Sequence, residues 1–205
     1  MQSWELPGKW VCRAVVLAFL VTSAGGCALT KENATLTYVP QGSSTRIDGS
    51  HLTPVCVIVT DVRDRKDQVG CKKNGYGMEM AAIISTNDVP QLVAGAITDE
   101  LRSCGFQIGQ GGTCVAVELM KFYNDFKIGF WSGSADSEVT FAVQVKKSGG
   151  NIIYAKSIAG HRTNGGIFLA SAKNAKEALE PALQDAIAKL FIDQAFISAL
   201  KQAGQ

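Results

Sequence analysis

The residue with the most specific chemistry in this sequence is Cys27. It follows the small residues Ala24, Gly25 and Gly26, and this stretch resembles the bacterial lipobox, although Ala24 stands where Leu is usual. At a lipobox the chain is cut before the cysteine, whose thiol then carries diacylglycerol, and several acyl chains hold a protein stably on a membrane. The pattern predicts lipidation of Cys27. The alternative is ordinary export with a chance cysteine at the cut.

Residues 1–26 have the architecture of a signal peptide. Lys9 and Arg13 form a basic region ahead of an uncharged apolar run. Only 13 residues separate Arg13 from Cys27, whereas a helix that crosses the bilayer core needs about 20, so removal is favoured over a permanent anchor. Ala28 replaces the Asp that commonly retains such proteins in the inner membrane. We therefore expect an outer-membrane protein that faces the periplasm.

Four further cysteines remain for disulfide chemistry once Cys12 leaves with the signal peptide. They are Cys56, Cys71, Cys104 and Cys114. Four cysteines in an exported chain predict two disulfides, for which three pairings are possible. Because Cys104 and Cys114 flank a short strand and a Gly-rich loop, we favour Cys104–Cys114, which leaves Cys56 for Cys71. The alternative is that some stay reduced and pack as small apolar residues.

Other patterns that could support chemistry are weak. His51 and His161 lie far apart, without a Cys or Ser motif nearby, so no triad or metal site is predicted. The Gly-rich stretch 109–113 lacks the Lys-Ser/Thr ending of a phosphate-binding loop. Aspartates at every third position in 61–67 are interleaved with basic residues, which favours a solvated turn over a cation site. We predict no cofactor, no metal and no enzymatic activity.

One segment combines five aromatic residues in ten positions. These residues are Phe122, Tyr123, Phe126, Phe130 and Trp131. A half-buried strand cannot hide so many rings on one face, so either some fill the core and the rest lie against helices, or part of the segment is an exposed patch that binds a partner. Because aromatic side chains are usually buried, the core interpretation is favoured.

Composition and charge place the chain among ordinary globular domains. It has 205 residues, of which 46% are hydrophobic and 19% charged, and this balance predicts one domain with a sizeable core. The net charge is +2, with Lys and Arg scattered along the chain. Nucleic acid is therefore not an expected partner.

Hydrophobic periodicity predicts the elements of this domain. Strands are expected near 34–39, 55–59, 80–85, 106–108, 115–122, 137–146 and 151–160. A helix between Asp88 and Gly105 should bury the stripe Val93, Ile97 and Leu101. A second helix is expected after a cap at Asn174, and a short one after a cap at Asp193.

Together these elements predict an α+β fold, with a mostly antiparallel sheet of about five strands packed against two helices. The chain divides into a signal peptide (1–26), a lipidated cysteine with a polar tether (27–53) and a periplasmic domain (54–205).

The order of these features resembles the YajG family of Gram-negative lipoproteins. The resemblance lies in a lipobox with a polar tether, a strand ending in the Asp/Arg-rich turn 59–63, the helix end 101–106 and the closing helix 182–196. It implies a periplasm-facing lipoprotein without established enzymatic activity. We expect the acylated Cys27 to contact the lipid bilayer and the domain to bind an envelope protein or peptidoglycan. The alternative is an accessory structural subunit of an envelope transport or assembly machine.

Overall fold

The computed structural model describes residues 30–41, 47, 54–110, 112–129 and 131–203. Within these ranges the chain forms seven strands and three helices. In chain order they are β1 (Glu32–Ala34), β2 (Val55–Asp61), β3 (Gly70–Lys73), β4 (Glu79–Ser85), α1 (Val89–Ser103), β5 (Thr113–Lys127), β6 (Gly133–Lys146), β7 (Ile152–Ile167), α2 (Ala172–Phe191) and α3 (Gln194–Ala203). No helix among the described residues is long and apolar enough to cross a membrane.

All seven strands join one mixed sheet. Its order is β1-β4-β3-β5-β6-β7, and β2 pairs with the first half of β5, beyond the point where β3 pairs with the second half. The pairs β3–β4, β5–β6 and β6–β7 are antiparallel, whereas β1–β4, β2–β5 and β3–β5 are parallel. The mixed α/β class is confirmed in outline, but five strands and two helices were too few.

Two strands that differ from the prediction are short and polar: β3 was missed, and β1 (32–34) starts before the stretch 34–39 where a strand was expected. β3 has the sequence Gly-Cys-Lys-Lys, which has no alternation that a sequence pattern can detect. β1 has three residues and lies at the sheet edge. Conversely, the strand expected at 106–108 is reduced to a single bridge between Ile108 and Val55. Whether these short segments form strands therefore depends on the strands that they pair with rather than on their own composition.

Strands β5, β6 and β7 are the longest strands of the sheet. Their side chains alternate between a buried side and a solvent-facing side. Val139, Phe141 and Val143 on β6 are fully buried, while the residues between them are half-buried. Strands β6 and β7 form a hairpin, with Gly150 at φ +83° in its turn. β7 continues to Ile167, well past the predicted end at 160.

The helices cover one side of this sheet. The stripe Val93, Ile97 and Leu101 of α1 is completely buried, as predicted, and Asp88 caps the helix by accepting a hydrogen bond from the Gln91 N–H. The cap of helix α2 lies three residues earlier than expected, at Ser171 rather than at Asn174, and the helix begins at Ala172. Helix α3 follows Asp193, whose carboxylate accepts from the Ala195 N–H.

The start of the described chain belongs to the domain. Residues 32–34 pair in parallel with β4, and the Leu36 side chain is 1% exposed. The backbone N–H of Leu36 donates to the Asn87 side chain at 2.8 Å. Residues 30–41 therefore pack on the sheet and supply an edge strand, at 32–34 rather than 34–39, within the segment 27–53 that was expected to be a tether.

Candidate functional site

The side of the sheet opposite the helices is a candidate binding surface. We call it the open face and define it by the outward side chains of β2, β5, β6 and β7. Ile58 on β2 is 56% exposed and Met120 on β5 is 49% exposed, as expected for a face that no described helix covers. Antiparallel sheets often have one face on the core and one in solvent. Here the solvent-facing side extends over strands of 14 to 16 residues.

One half of the open face is flat and carries mostly small side chains, with the charged Glu118 beside Ala142. Ile58 lies beside Ala116 in the parallel β2–β5 pair, and Ala142 and Ala159 face the same way on the next two strands. Small side chains leave the strand backbones close to the surface, so a partner can approach them over a wide area. Such a surface suits contact with another macromolecule better than capture of a small ligand.

The other half is a shallow charged groove of about 330 Å³. Ion pairs cross its strands: the Lys121 ammonium donates to the Glu138 carboxylate at 2.7 Å, and Lys127 pairs with Asp136. His161 lies opposite Glu138 on β7. The groove is thus a cross-strand ladder of paired charges.

Two carboxylates of the groove, Glu138 and Asp136, are held in their charged form. The hydrogen bond from Lys121 is the main cause that lowers the pKa of Glu138. Burial by itself would raise the pKa of Asp136, but hydrogen bonds, the largest from Lys127, outweigh it and lower the pKa. Both carboxylates are ionised at neutral pH, so they suit charge complementarity with a partner. A carboxyl group that acts as a general acid at that pH would need a raised pKa.

Arg65 links the groove to the turn after β2. Its guanidinium lies 5.5 Å from the centre of the Tyr123 ring, a cation–π distance, and donates to the Tyr123 hydroxyl and to Glu79 at 3.0 Å each. Burial, followed by the charge of Glu79, raises the pKa of Tyr123. Tyr123 is therefore a fixed, half-buried ring at the border of the open face.

The same turn contains a buried ion pair. The Arg63 side chain is 4% exposed and donates to both oxygens of Asp61, at 2.9 and 2.8 Å. Asp61, the first of the regularly spaced aspartates in 61–67, therefore has a structural role as the ion-pair partner of Arg63. Among the described residues no group of three potential metal ligands comes together.

The predicted disulfides Cys104–Cys114 and Cys56–Cys71 are wrong. The structure joins Cys56 to Cys114, which are register partners on the parallel strands β2 and β5, with 4.6 Å between their α-carbons. Cys71 and Cys104 are buried thiols. The short distance along the chain between Cys104 and Cys114 misled the prediction, because strand pairing brings together residues 58 positions apart.

The aromatic segment is divided by the sheet. Phe122 and Phe126 are each 1% exposed and fill the core, so their inclusion in a partner-binding patch is wrong. Tyr123 points to the open face, and Trp131, in the turn after β5, is 83% exposed. Phe130 and Cys27 lie outside the described residues, as does His51.

The comparison with family models assigns the chain. The model of the Lipoprotein_16 family, described as uncharacterized lipoprotein, matches residues 42–201, which is more than three quarters of the sequence. The chain belongs to this lipoprotein family. No curated protein matches this lipoprotein.

Solved structures resemble this lipoprotein to different degrees. The crystal structure of XCC0632 from Xanthomonas campestris, assigned to the family DUF330, matches with a TM-score of 0.57 at 12% identity, over 85% of this chain and 99% of that chain. An uncharacterized protein matches with a TM-score of 0.42 at 8% identity, over 78% and 94% of the two chains. The hypothetical protein CT253 from Chlamydia trachomatis reaches 0.28 at 9% identity, over 74% and 98%. At such identity the first likeness indicates a shared fold alone.

The open face was not predicted from sequence. Its signal was present in the alternation of β5, where Lys121, Tyr123, Asp125 and Lys127 occupy every second position. The bulge near Met120 obscured this signal, because it shifts the alternation by one residue between Leu119 and Lys121.

Proposed function

We propose that this lipoprotein is anchored in the outer membrane through acylated Cys27, faces the periplasm, and binds a protein or peptidoglycan partner through its open face without catalysing a reaction. The observation that carries the binding proposal is the uncovered side of the long strands β5, β6 and β7. Small side chains make one half of it flat, and paired charges line the other half.

The anchoring proposal is supported by the family and by the residues around Cys27. Membership of a lipoprotein family agrees with a lipobox at Ala24–Cys27, and Ala28 favours the outer membrane. The resemblance to the YajG family implies the same location. Removal of residues 1–26 would make Cys27 the first residue of the mature chain.

Globomycin, which blocks the lipoprotein signal peptidase, tests the anchor. We expect unprocessed precursor to accumulate in treated cells, and the Cys27→Ser variant to lose acyl chains by mass spectrometry. Normal processing under globomycin, or an unmodified Cys27 in the mature chain, would contradict lipidation. Separation of inner and outer membranes then tests the location predicted from Ala28.

A matched pair of substitutions tests the open face. Ile58→Arg places a charge in the flat half of the open face, whereas Ile192→Arg places the same charge after α2, on the helix side, where Ile192 is 72% exposed. Crosslinking and pull-down from membranes should recover a defined partner with the unmodified protein and with Ile192→Arg, and lose it with Ile58→Arg. Equal recovery with both variants would contradict binding through the open face.

The nature of the complex separates partner binding from the alternative of an accessory subunit. An accessory structural subunit should copurify with one assembly in constant stoichiometry and lose stability without it. A binding lipoprotein should remain folded alone and exchange its partner. Isolated peptidoglycan, incubated with the same two variants, tests the cell-wall partner directly.

A further inference from the structure

The strand directions bring the first described residues and several loops to one end of the strands. β4 begins there, and β1 runs parallel to it and away from this end, with Glu32 level with Ile83, four residues after the start of β4. β3 runs parallel to β5, so both end at this edge. β6 begins and β7 ends there, because Gly133 is the register partner of Ile167. We call the loops and termini at this end the proximal edge.

Direct contacts tie the first described residues to this edge. The Glu32 carboxylate accepts from the Ala172 N–H, the first residue of α2, at 2.6 Å. Its other oxygen accepts from the Lys72 ammonium at 2.8 Å, and this ammonium also donates to the Thr30 carbonyl at 3.0 Å. Thr30 is therefore held beside the start of α2.

The proximal edge is also where large apolar side chains point into solvent. Among the described residues, the three most exposed large hydrophobic side chains are Tyr76 at 91%, Phe168 at 87% and Trp131 at 83%. Tyr76 lies between β3 and β4, Trp131 between β5 and β6, and Phe168 between β7 and α2. Leu169, 61% exposed, follows Phe168. A single exposed apolar residue needs no explanation. Here, however, three separate loops present apolar groups at one end of the molecule.

We propose that the proximal edge rests on the lipid bilayer, with Trp131, Tyr76 and Phe168 at the level of the headgroups. The inference rests on the proposed lipidation of Cys27. Thr30 follows Cys27 by three positions, so their α-carbons can lie at most about 11 Å apart. An acylated Cys27 holds this edge at the membrane, where Trp and Tyr are favoured because their rings are apolar at one end and polar at the other.

This placement also orients the open face. The long strands begin or end at the proximal edge, so they extend away from the bilayer, and the 14 residues of β6 reach roughly 45 Å into the periplasm. The flat half of the open face, around Ile58 and Ala116, lies toward the distal end. A partner in the periplasm can therefore reach it while the anchor stays in the membrane.

Fluorescence of Trp131 tests the inference directly. The sequence contains Trp4, Trp10 and Trp131, so the mature chain that starts at Cys27 has Trp131 as its single tryptophan. We would reconstitute the full mature protein into vesicles of phosphatidylethanolamine and phosphatidylglycerol, with a doxyl quencher on the fifth acyl carbon of a labelled lipid. In the reconstituted protein, Trp131 should emit at shorter wavelength than in protein unfolded in urea without vesicles. The doxyl lipid should quench most of this emission.

The matched control moves the fluorophore to the other end. In Trp131→Phe with Ile192→Trp, the new tryptophan follows the far end of α2, a helix of 20 residues and about 30 Å from its start at Ala172. We expect this variant to show no lipid quenching. Quenching equal to that of Trp131 would overturn the proposed orientation.

The outcomes distinguish the two proposals. If the mature protein carries no acyl chains by mass spectrometry, the proposed anchor fails and this inference fails with it. If the acylated protein floats with the vesicles but aqueous iodide quenches Trp131 and the doxyl lipid does not, the anchor stands and the membrane-resting edge is overturned. A Trp131 shielded from both quenchers would indicate that a second protein chain covers the edge, which also overturns the inference.

Discussion

Gly160 on β7 packs so closely under Ala186 on α2 that a β-carbon on Gly160 would lie 2.7 Å from the β-carbon of Ala186. Ala182 contributes to the same contact through its carbonyl oxygen. The small residues allow the helix backbone to approach the strand directly, and this contact sets the spacing between α2 and the sheet that forms the open face.

Gly160→Ala should therefore destabilise the domain by roughly 1–3 kcal/mol, the usual cost of overpacking a core. Urea unfolding followed by circular dichroism measures the change in the free energy of unfolding. Gly149→Ala is the control, because nothing lies within 4 Å of a β-carbon there. Equal stability of the two variants would contradict the close contact.

The disulfide between Cys56 and Cys114 should be the one found by peptide mapping of the oxidised protein. Removing it with the double variant Cys56→Ser, Cys114→Ser should lower the free energy of unfolding by about 4 kcal/mol, because a bridge spanning 58 positions strongly restricts the unfolded chain. Cys71 and Cys104 are buried and should react with iodoacetamide only after unfolding. A Cys104–Cys114 peptide would contradict the structure.

The buried pair of Asp61 and Arg63 should make stability depend on acid. Hydrogen bonding from Arg63 is the main cause that lowers the pKa of Asp61 below its usual 3.8. Since the folded pKa is the lower one, this contribution is fully present above the unfolded pKa and is lost as pH falls through the folded pKa. Thermal midpoints measured between neutral pH and pH 2 should show a steeper acid loss in the unmodified protein than in Asp61→Asn.

Asp61→Asn should also cost roughly 3–5 kcal/mol at neutral pH, because it leaves the Arg63 guanidinium buried opposite a neutral amide. Asp64→Asn is the matched control, since Asp64 is exposed on the same turn. Similar losses in the two variants would show that the pair is not buried in solution.

The aromatic segment should separate into two classes of residue. Phe126→Ala removes a fully buried ring and should cost roughly 3–5 kcal/mol, whereas Trp131→Ala should change stability by less than about 0.5 kcal/mol. Urea unfolding of both variants measures this difference. A large loss of stability in Trp131→Ala would show that Trp131 packs against the domain in solution.

The sequence by itself determined the local features of this protein. Val93, Ile97 and Leu101 recur at helical spacing, so the helix and its buried side follow from periodicity alone. The strands of the β6–β7 hairpin follow from alternation and from the glycines between them. The predicted signal peptide and the predicted lipidation of Cys27 are also local, since they depend on residues adjacent in the chain.

The tertiary structure decided which distant residues meet. Cys56 pairs with Cys114 because β2 lies parallel to β5 in register, and nothing in either strand's own composition specifies that neighbour. The bulge near Met120 decides that Phe122 is buried and that Tyr123 faces solvent. Likewise, Tyr76, Trp131 and Phe168 come to one edge because strand directions, set by long-range hydrogen bonds, place their three loops together.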